Sequence, residues 1–426
     1  MRIISDFHLH SFYSRATSKQ MNLEGITKGA KIKGLNLLGT SDMTFSRWLA
    51  ELKQKLEPVE GTGLFKYSNI WFMLTGEVAT YFTFEHQTKR VHHIIHAPSF
   101  EIVEQINERL SKYGNLKIDG RPILNMTAPE LVEILMEINK DVLIYPAHAW
   151  TPWMSCMGSK SGFDSVEDCY QDQVKHVFAL ETGMSSDPAM NWRLSKLDKF
   201  TLVSNSDSHS PWTWRLGREA NVFELKDTNY WEIFEAIKEK DKSRFLFTIE
   251  TSPFYGKYHF DGHRNCGISL TPAEAKKFNN ICPKCGRKLT IGVLHRVEEL
   301  SDRPEGFVPE DAIPFKTLLP LYEIISFAWG TGELYSRKVL EEHNKLIEKF
   351  GNELTVLLDA GKEELLKVTN ERIADAIIKV REGKVKYIPG YDGVYGRPVF
   401  DEEELEKKRI RIHSQKSLID FKGPVV

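Results

Sequence analysis

A short apolar run, Ile3-Ile4, ends in Asp6-Phe7-His8-Leu9-His10. Period-two alternation puts the carboxylate and both imidazoles on one side of an extended segment, where a strand gives way to a turn. Imidazole and carboxylate oxygen suit zinc, manganese or iron rather than calcium. A chain that begins this way has to fold around a strand end that carries metal-type ligands. The same device recurs downstream, because Asp42, Glu77, His148 and the pair Asp207 and His209 all close or follow short apolar runs. That repetition argues for an enzyme.

Strands are predicted over 2–7, 36–40, 71–77, 91–96, 142–146, 177–181 and 201–205, with amphipathic helices such as 100–113 and 129–140 between some of them. Strand-then-helix repetition implies an α/β protein with a parallel sheet, and seven strands in some 250 residues imply a closed or nearly closed β/α barrel. In such a barrel the C-terminal strand ends form the active-site face, so ligands distant in sequence converge there. His8, His10, Asp42, Glu77, His92, His148, Asp207 and His209 supply the residue types that metal-assisted hydrolysis needs: ligands for one or more cations, room for water, and a carboxylate able to bridge two metals. Glu77 and Asp207 are the carboxylates expected to be catalytic.

The chain of 426 residues carries 57 Lys and Arg against 59 Asp and Glu, so a generally basic nucleic-acid binder is excluded and any polyanion site must be a local patch. No apolar run approaches the roughly 18 residues of a membrane span, and Met1-Arg2-Ile3 leads directly into a strand, so a soluble, cytoplasmic protein is expected. Five cysteines are too few for a disulfide scaffold. Three of them, Cys266, Cys282 and Cys285, combine with His263 as His-x2-Cys and Cys-x2-Cys, the pattern of a structural zinc ribbon, with His259 as a competing fourth ligand. Cys156 and Cys169 lie apart and read as ordinary thiols.

Beyond residue 250 the composition changes. The expected division is a barrel over 1–250, a zinc-binding module over 251–317, a helical domain over 318–400, which the resemblance given below makes a DNA-binding one, and a flexible tail over 401–426. Trp192, Trp212 and Trp214 interleave with Arg193, Arg215 and Arg218 beside the Asp207 motif, the composition of a strand-binding wall or of ordinary core. Arg193, Trp212, Trp214 and Arg215 are the contacts that such a wall would offer, to DNA or a lesion if the resemblance given below holds.

The ligand pattern resembles the PHP (polymerase and histidinol phosphatase) domain, a distorted β/α barrel that binds two or three metals and hydrolyses phosphoesters. In that family the opening His-x-His, a bridging Glu, a later lone His and a final Asp-x-His are ligands. Where the family usually has Asp-His after the second strand, this chain has Asp42-Met43, and Asp42 is carried over as a ligand. Of His92 and His93 the family's pattern favours His92. Longer strings, Glu181 to Pro188, Asn191-Trp192-Arg193, Ser204 to Trp212, Leu294 to Leu300 and Asp302 to Gly306, resemble the endonuclease Q family, in which a PHP barrel is joined to a zinc module and a helical C-terminal domain.

That resemblance implies a repair endonuclease that nicks DNA on the 5′ side of a deaminated base (uracil, hypoxanthine, xanthine) or an abasic site. It also implies structural zinc and two or three divalent barrel metals, zinc first, with manganese or magnesium as alternatives. Gln415, Leu418 and Phe421 resemble the peptide that docks on the replication sliding clamp (PCNA), with Lys422 where a second aromatic is usual. Two other readings remain: a small-molecule phosphoesterase of the histidinol phosphatase kind, which leaves the ribbon, helical domain and tail unexplained, and a non-catalytic DNA-binding adaptor, against which the full ligand set argues.

Overall fold

The computed structural model describes residues 1–400 except Gly332 and Tyr335. The barrel strands are β1 (Arg2–Asp6), β2 (Leu37–Gly39), β3 (Glu57–Val59), β4 (Leu64–Tyr67), β5 (Ile70–Phe84), β6 (Gln87–Ala97), β7 (Ile123–Leu124), β8 (Leu143–Pro146), β9 (Ala179–Glu181), β10 (Thr201–Val203), β11 (Ala220–Glu224) and β12 (Phe245–Glu250). Each of the seven expected strands is present.

The expected parallel sheet forms only in part. β1, β2 and β5 are parallel neighbours, but β11 runs antiparallel to β1, β12 to β11, β6 to β5 and β8 to β6. The reason is local. No helical pattern separates residues 77 and 91, and β5 turns back into β6 through Glu85-His86, both at positive φ (45° and 63°), a two-residue hairpin turn rather than a crossover. β9 and β10 form a separate parallel pair. A single bridge, Ile144 to Val177, joins the β8 side, and Ser204 N–H donating to Asn221 Oδ1 at 2.9 Å joins the β11 side. The barrel is therefore distorted, its ring completed by isolated contacts rather than by one continuous ladder.

Ile3, Phe7, Leu37, Met73, Ile94, Tyr145, Val203 and Phe223 fill the interior as one apolar cluster. The polar ligands are left at one end. The helices Leu23–Lys33, Phe100–Leu110 and Ala128–Ile138 cover the outside, each opened by a side-chain cap from Asn22, Ser99 or Thr127.

Contacts cross the expected domain boundaries. Strand Phe315–Thr317, assigned to the zinc module, joins the barrel sheet parallel to β12. The hairpin of Lys386–Ile388 and Arg397–Val399 bonds back to the start of the zinc module, with Phe260 N–H donating to Gly390 O and Gly390 N–H to Phe254 O. Between them lies the helical unit, Leu321–Ala328 through Glu371–Arg381. It docks on the barrel through a buried pair, Lys33 Nζ to Glu353 Oε1 at 2.8 Å, reinforced by Lys33 Nζ to Thr213 O at 2.8 Å. Among the described residues no helix is long and apolar enough to cross a membrane.

Candidate metal centre

Glu77 lies in the middle of β5, fully buried, and divides the site in two. Its Oε2 is 3.3 Å from His10 Nε2 and 3.6 Å from His8 Nε2, while its Oε1 is 2.5 Å from His92 Nδ1 and 3.3 Å from His148 Nε2. Asp207 Oδ1 completes the first half at 3.0 Å from His10 Nε2 and 3.5 Å from His8 Nε2. The strand register explains the choice between the paired histidines. Ala79 faces His92 across the hairpin, so Glu77 and His92 share a face. His93 points the other way, between Thr80 Oγ1 at 2.9 Å and Tyr170 OH at 2.7 Å.

Two ligand sets therefore form, His8 with His10 and Asp207, and Glu77 with His92 and His148, the donor atoms of each lying within 4.8 Å of one another. His8 Nε2, His10 Nε2 and Asp207 Oδ1 are buried and make no hydrogen bond, although they approach one another to 3.0–3.5 Å. Buried polar atoms are costly without a partner. Convergent imidazole and carboxylate donors fit divalent cations, with Glu77 able to serve one on each side.

The remaining polar atoms aim these ligands. His8 Nδ1 donates to Glu181 at 3.0 Å, His10 Nδ1 to Asp42 Oδ1 at 3.2 Å, and His148 Nδ1 faces Thr151 Oγ1 at 3.2 Å. Each ring then turns its Nε2 toward the site. Asp42, carried over as a ligand, stands instead behind His10. Its Oδ2 accepts from Ser11 N–H at 2.8 Å, Ser11 Oγ at 2.5 Å and Ser14 Oγ at 2.9 Å. Met43 explains why no second ligand follows it, since its side chain packs over Gly76 in the core.

His209 sits at the rim, its Nδ1 donating to the Asp207 carbonyl at 2.9 Å and its ring 4.6 Å from that of His10. Asp42, His148 and Asp207 all hold positive φ (41°, 29° and 48°), the backbone strain by which the three strand ends turn their side chains to one point.

Charge follows the geometry. Burial pushes Glu77 upward, but the imidazoles of His92 and His8 outweigh it and hold the carboxyl well below its usual range. Burial opposes protonation of His8, yet Glu181, Asp207 and Glu77 raise it well above an ordinary histidine. Asp6, buried beneath the site and bonded by Ser206 and Gly217, is pushed up to about 6 by burial.

Two further groups reach the site that were not among the candidate residues. Glu181 ends β9 and bonds His8, the His148 N–H at 2.7 Å and Asn205 Nδ2 at 2.8 Å. Arg121 reaches Glu77 Oε2 at 3.5 Å from the loop before β7.

A cavity of about 620 Å³ opens beside the ligands, lined by His148, Glu181, Asp207 and His209 on one side and by Arg215, Arg218 and Tyr395 on the other. Trp212 is 43% exposed and stacks on Trp214 at 5.5 Å, which in turn meets Tyr322 edge-on at 4.9 Å. Arg193 is elsewhere. Its guanidinium bonds Ser301 Oγ at 3.4 Å and its carbonyl accepts from Asp302 and Arg303, while Trp192 packs in the core on Phe315 at 5.6 Å. Arg193 thus ties the zinc module to the barrel.

His263, Cys266, Cys282 and Cys285 form a second cluster of donors within 4.8 Å of one another, His263 Nδ1 being 3.3 Å from Cys285 Sγ. His259 is not among them; its ring is buried between Phe254 and Phe260. Cys156 and Cys169 are both buried in the large core cluster. Gln415, Leu418 and Phe421 lie outside the described residues.

A histidine-rich centre around one shared carboxylate on a distorted β/α barrel, beside a Cys/His cluster, has the donor set of metal-dependent hydrolases. Residues 320–384 match the family model of the MJ0043 C-terminal domain. The chain is 36% identical over 264 residues to uncharacterized protein MJ0043 of Methanocaldococcus jannaschii, 61% of this chain but only 32% of that protein's length. To uncharacterized protein YqxK of Bacillus subtilis it is 28% identical over 415 residues, 93% of this chain and 99% of that one.

Two solved structures superpose over 95% of the chain. One is the lesion-specific endonuclease PfuEndoQ from Pyrococcus furiosus (TM-score 0.86, 37% identity, 97% of that chain). The other is endonuclease Q in complex with a 27-mer duplex substrate carrying an abasic lesion at the active site (TM-score 0.84, 36% identity, 98% of that chain). This chain belongs to the endonuclease Q family.

Proposed function

We propose that the protein is a metal-dependent DNA repair endonuclease that nicks the phosphodiester on the 5′ side of a deaminated base or an abasic site, leaving a 3′-hydroxyl. The observation that carries this reading is Glu77, which offers one carboxylate oxygen to each of two ligand sets at the mouth of a cavity in a chain that aligns end to end with a lesion-specific endonuclease.

Divalent cations, when bound, supply Lewis-acid activation of water and offset charge on the phosphodiester oxygens. His8, His10 and Asp207 would hold one, and Glu77, His92 and His148 would hold the other; zinc suits these donors, and manganese or magnesium are the alternatives. Glu181 and Asp42 hold the rings of His8 and His10 in orientation, and Thr151 that of His148. An unstacked nucleotide or abasic sugar fits the adjoining cavity, where Arg215 and Arg218 offer donors. Trp212, stacked on Trp214, supplies an exposed face for a neighbouring base.

The zinc cluster organises its module, and the helical unit widens the DNA-facing surface. The tail is assigned to the sliding clamp through Gln415, Leu418 and Phe421. Deleting 414–426 is expected to leave nicking of free oligonucleotides unchanged and to abolish co-elution with the clamp.

The test is cleavage of labelled duplexes carrying uracil, hypoxanthine, an abasic site or no lesion, with and without chelator. Metal-dependent incision next to the lesion alone is expected. Equal cutting of intact duplex, or turnover only of small phosphate monoesters, overturns the reading.

A further inference from the structure

We infer that Arg121 is a catalytic residue that grips the scissile phosphate, an assignment that rests on the phosphodiester-cleaving reading above. The loop that carries Arg121 is pinned on both sides. Pro122 O accepts from Ala79 N–H at 2.9 Å, two residues beyond Glu77 on β5. Gly120 is pressed so closely on Asp42 and Ser14 that any side-chain carbon there overlaps the Asp42 carboxylate. Asp119 Oδ1 then accepts from Arg121 N–H at 3.1 Å.

The guanidinium is delivered to the ligands with a quarter of its side chain still open (25% exposed), and Nη1 stands 3.5 Å from Glu77 Oε2. Among the described residues Glu77 is the one side chain that the guanidinium bonds.

A structural role does not account for this placement. Glu77 Oε2 is the oxygen that faces His8 and His10, so a cation held by those residues would share that oxygen with Arg121, and like charges on one carboxylate oxygen would repel. The arrangement becomes favourable once an anion lies between them. The planar fork of a guanidinium matches two oxygens of a phosphodiester, and a fixed donor aimed at developing negative charge lowers the barrier rather than only improving binding. Arg121 is therefore placed to stabilise charge on the non-bridging oxygens as the leaving oxygen departs.

The experiment compares wild type with Arg121→Ala, Arg121→Gln and Arg121→Lys in the full chain. The expected result for Arg121→Ala and Arg121→Gln is unchanged barrel-metal content, an unchanged melting temperature, duplex affinity within a few-fold of wild type, and a fall in kcat of about 100-fold. Arg121→Lys should recover part of kcat. Inorganic phosphate, titrated calorimetrically into the metal-loaded protein, should bind Arg121→Ala about tenfold more weakly.

Wild-type kcat in Arg121→Ala, or loss of barrel metal in both Arg121→Ala and Arg121→Gln, overturns the assignment. The phosphate titration reads Arg121 without any cleavage. Failure of wild type to cut lesion duplexes counts against the proposed function, whereas undiminished phosphate binding in Arg121→Ala counts against Arg121.

Discussion

Glu181 holds His8 and His148 at once: its carboxyl group accepts His8 Nδ1–H at 3.0 Å and the backbone N–H of His148 at 2.7 Å. One buried carboxylate thus sets the ring orientation of a ligand in the first set and the backbone of a ligand in the second. Outer partners of this kind typically change metal affinity 10- to 100-fold. Glu181→Ala should weaken barrel-metal binding by about that factor, and excess metal should restore part of the activity. Metal titration of the variant checks this, and wild-type affinity would refute the role.

Glu77→Ala and Asp207→Ala should each abolish cleavage. Both carboxylates point at the site rather than into the apolar interior cluster, so the fold should be largely retained. Activity measured beside thermal melting separates the two effects, and wild-type turnover in either variant would sink the metal assignment.

The module around Cys282 buries only Leu270, Ala275, Cys282 and Leu289 as its own core. So small a core relies on the metal, because binding energy there is folding energy. Cys282→Ser should lose the zinc proposed for the module and open residues 263–290 to protease, while metal binding by the barrel set is unchanged. Unchanged zinc content would contradict a separate site.

Lys33 and Glu353 are buried partners that join the helical unit to the barrel. Burial pushes Glu353 upward, yet the Lys33 ammonium overrides it and holds the carboxyl down at about 2, against 4.5 in an unstructured chain. A depressed carboxyl stabilises the fold above its unfolded value and loses that contribution as pH falls. The protein should therefore lose stability from about pH 4.5 downward, until the contribution is gone near pH 2. Lys33→Met leaves the Glu353 charge buried and should cost about 3–5 kcal/mol. Urea unfolding of both proteins across that pH range checks the sign; a Lys33→Met chain as stable as wild type would exclude the pair as a clasp.

The metal centre was legible where its ligands are close in the chain or end an apolar run. His8 and His10 are separated by one residue, so a period of two puts them on one face in any strand. Cys282 and Cys285 meet in any tight turn, and His263 and Cys266 follow the same logic. The seven strands were legible for the same reason, since alternation of apolar side chains is a local property.

Strand direction was not legible. It depends on whether residues 77–91 return as a hairpin or as a crossover, which the turn at Glu85-His86 decides. Whether a polar residue binds metal or supports a ligand was not legible either. Asp42 and Glu181 have the composition of ligands, and only the hydrogen bonds that fill their oxygens put them behind His10 and His8. Arg121, on which the sequence carried no reading, is brought to Glu77, and Arg193, expected beside the site, bonds Ser301. Local pattern selects which residue types can serve at a strand end. The role each one takes depends on lone-pair direction and on partners up to two hundred residues away, and those exist only once the chain has closed on itself.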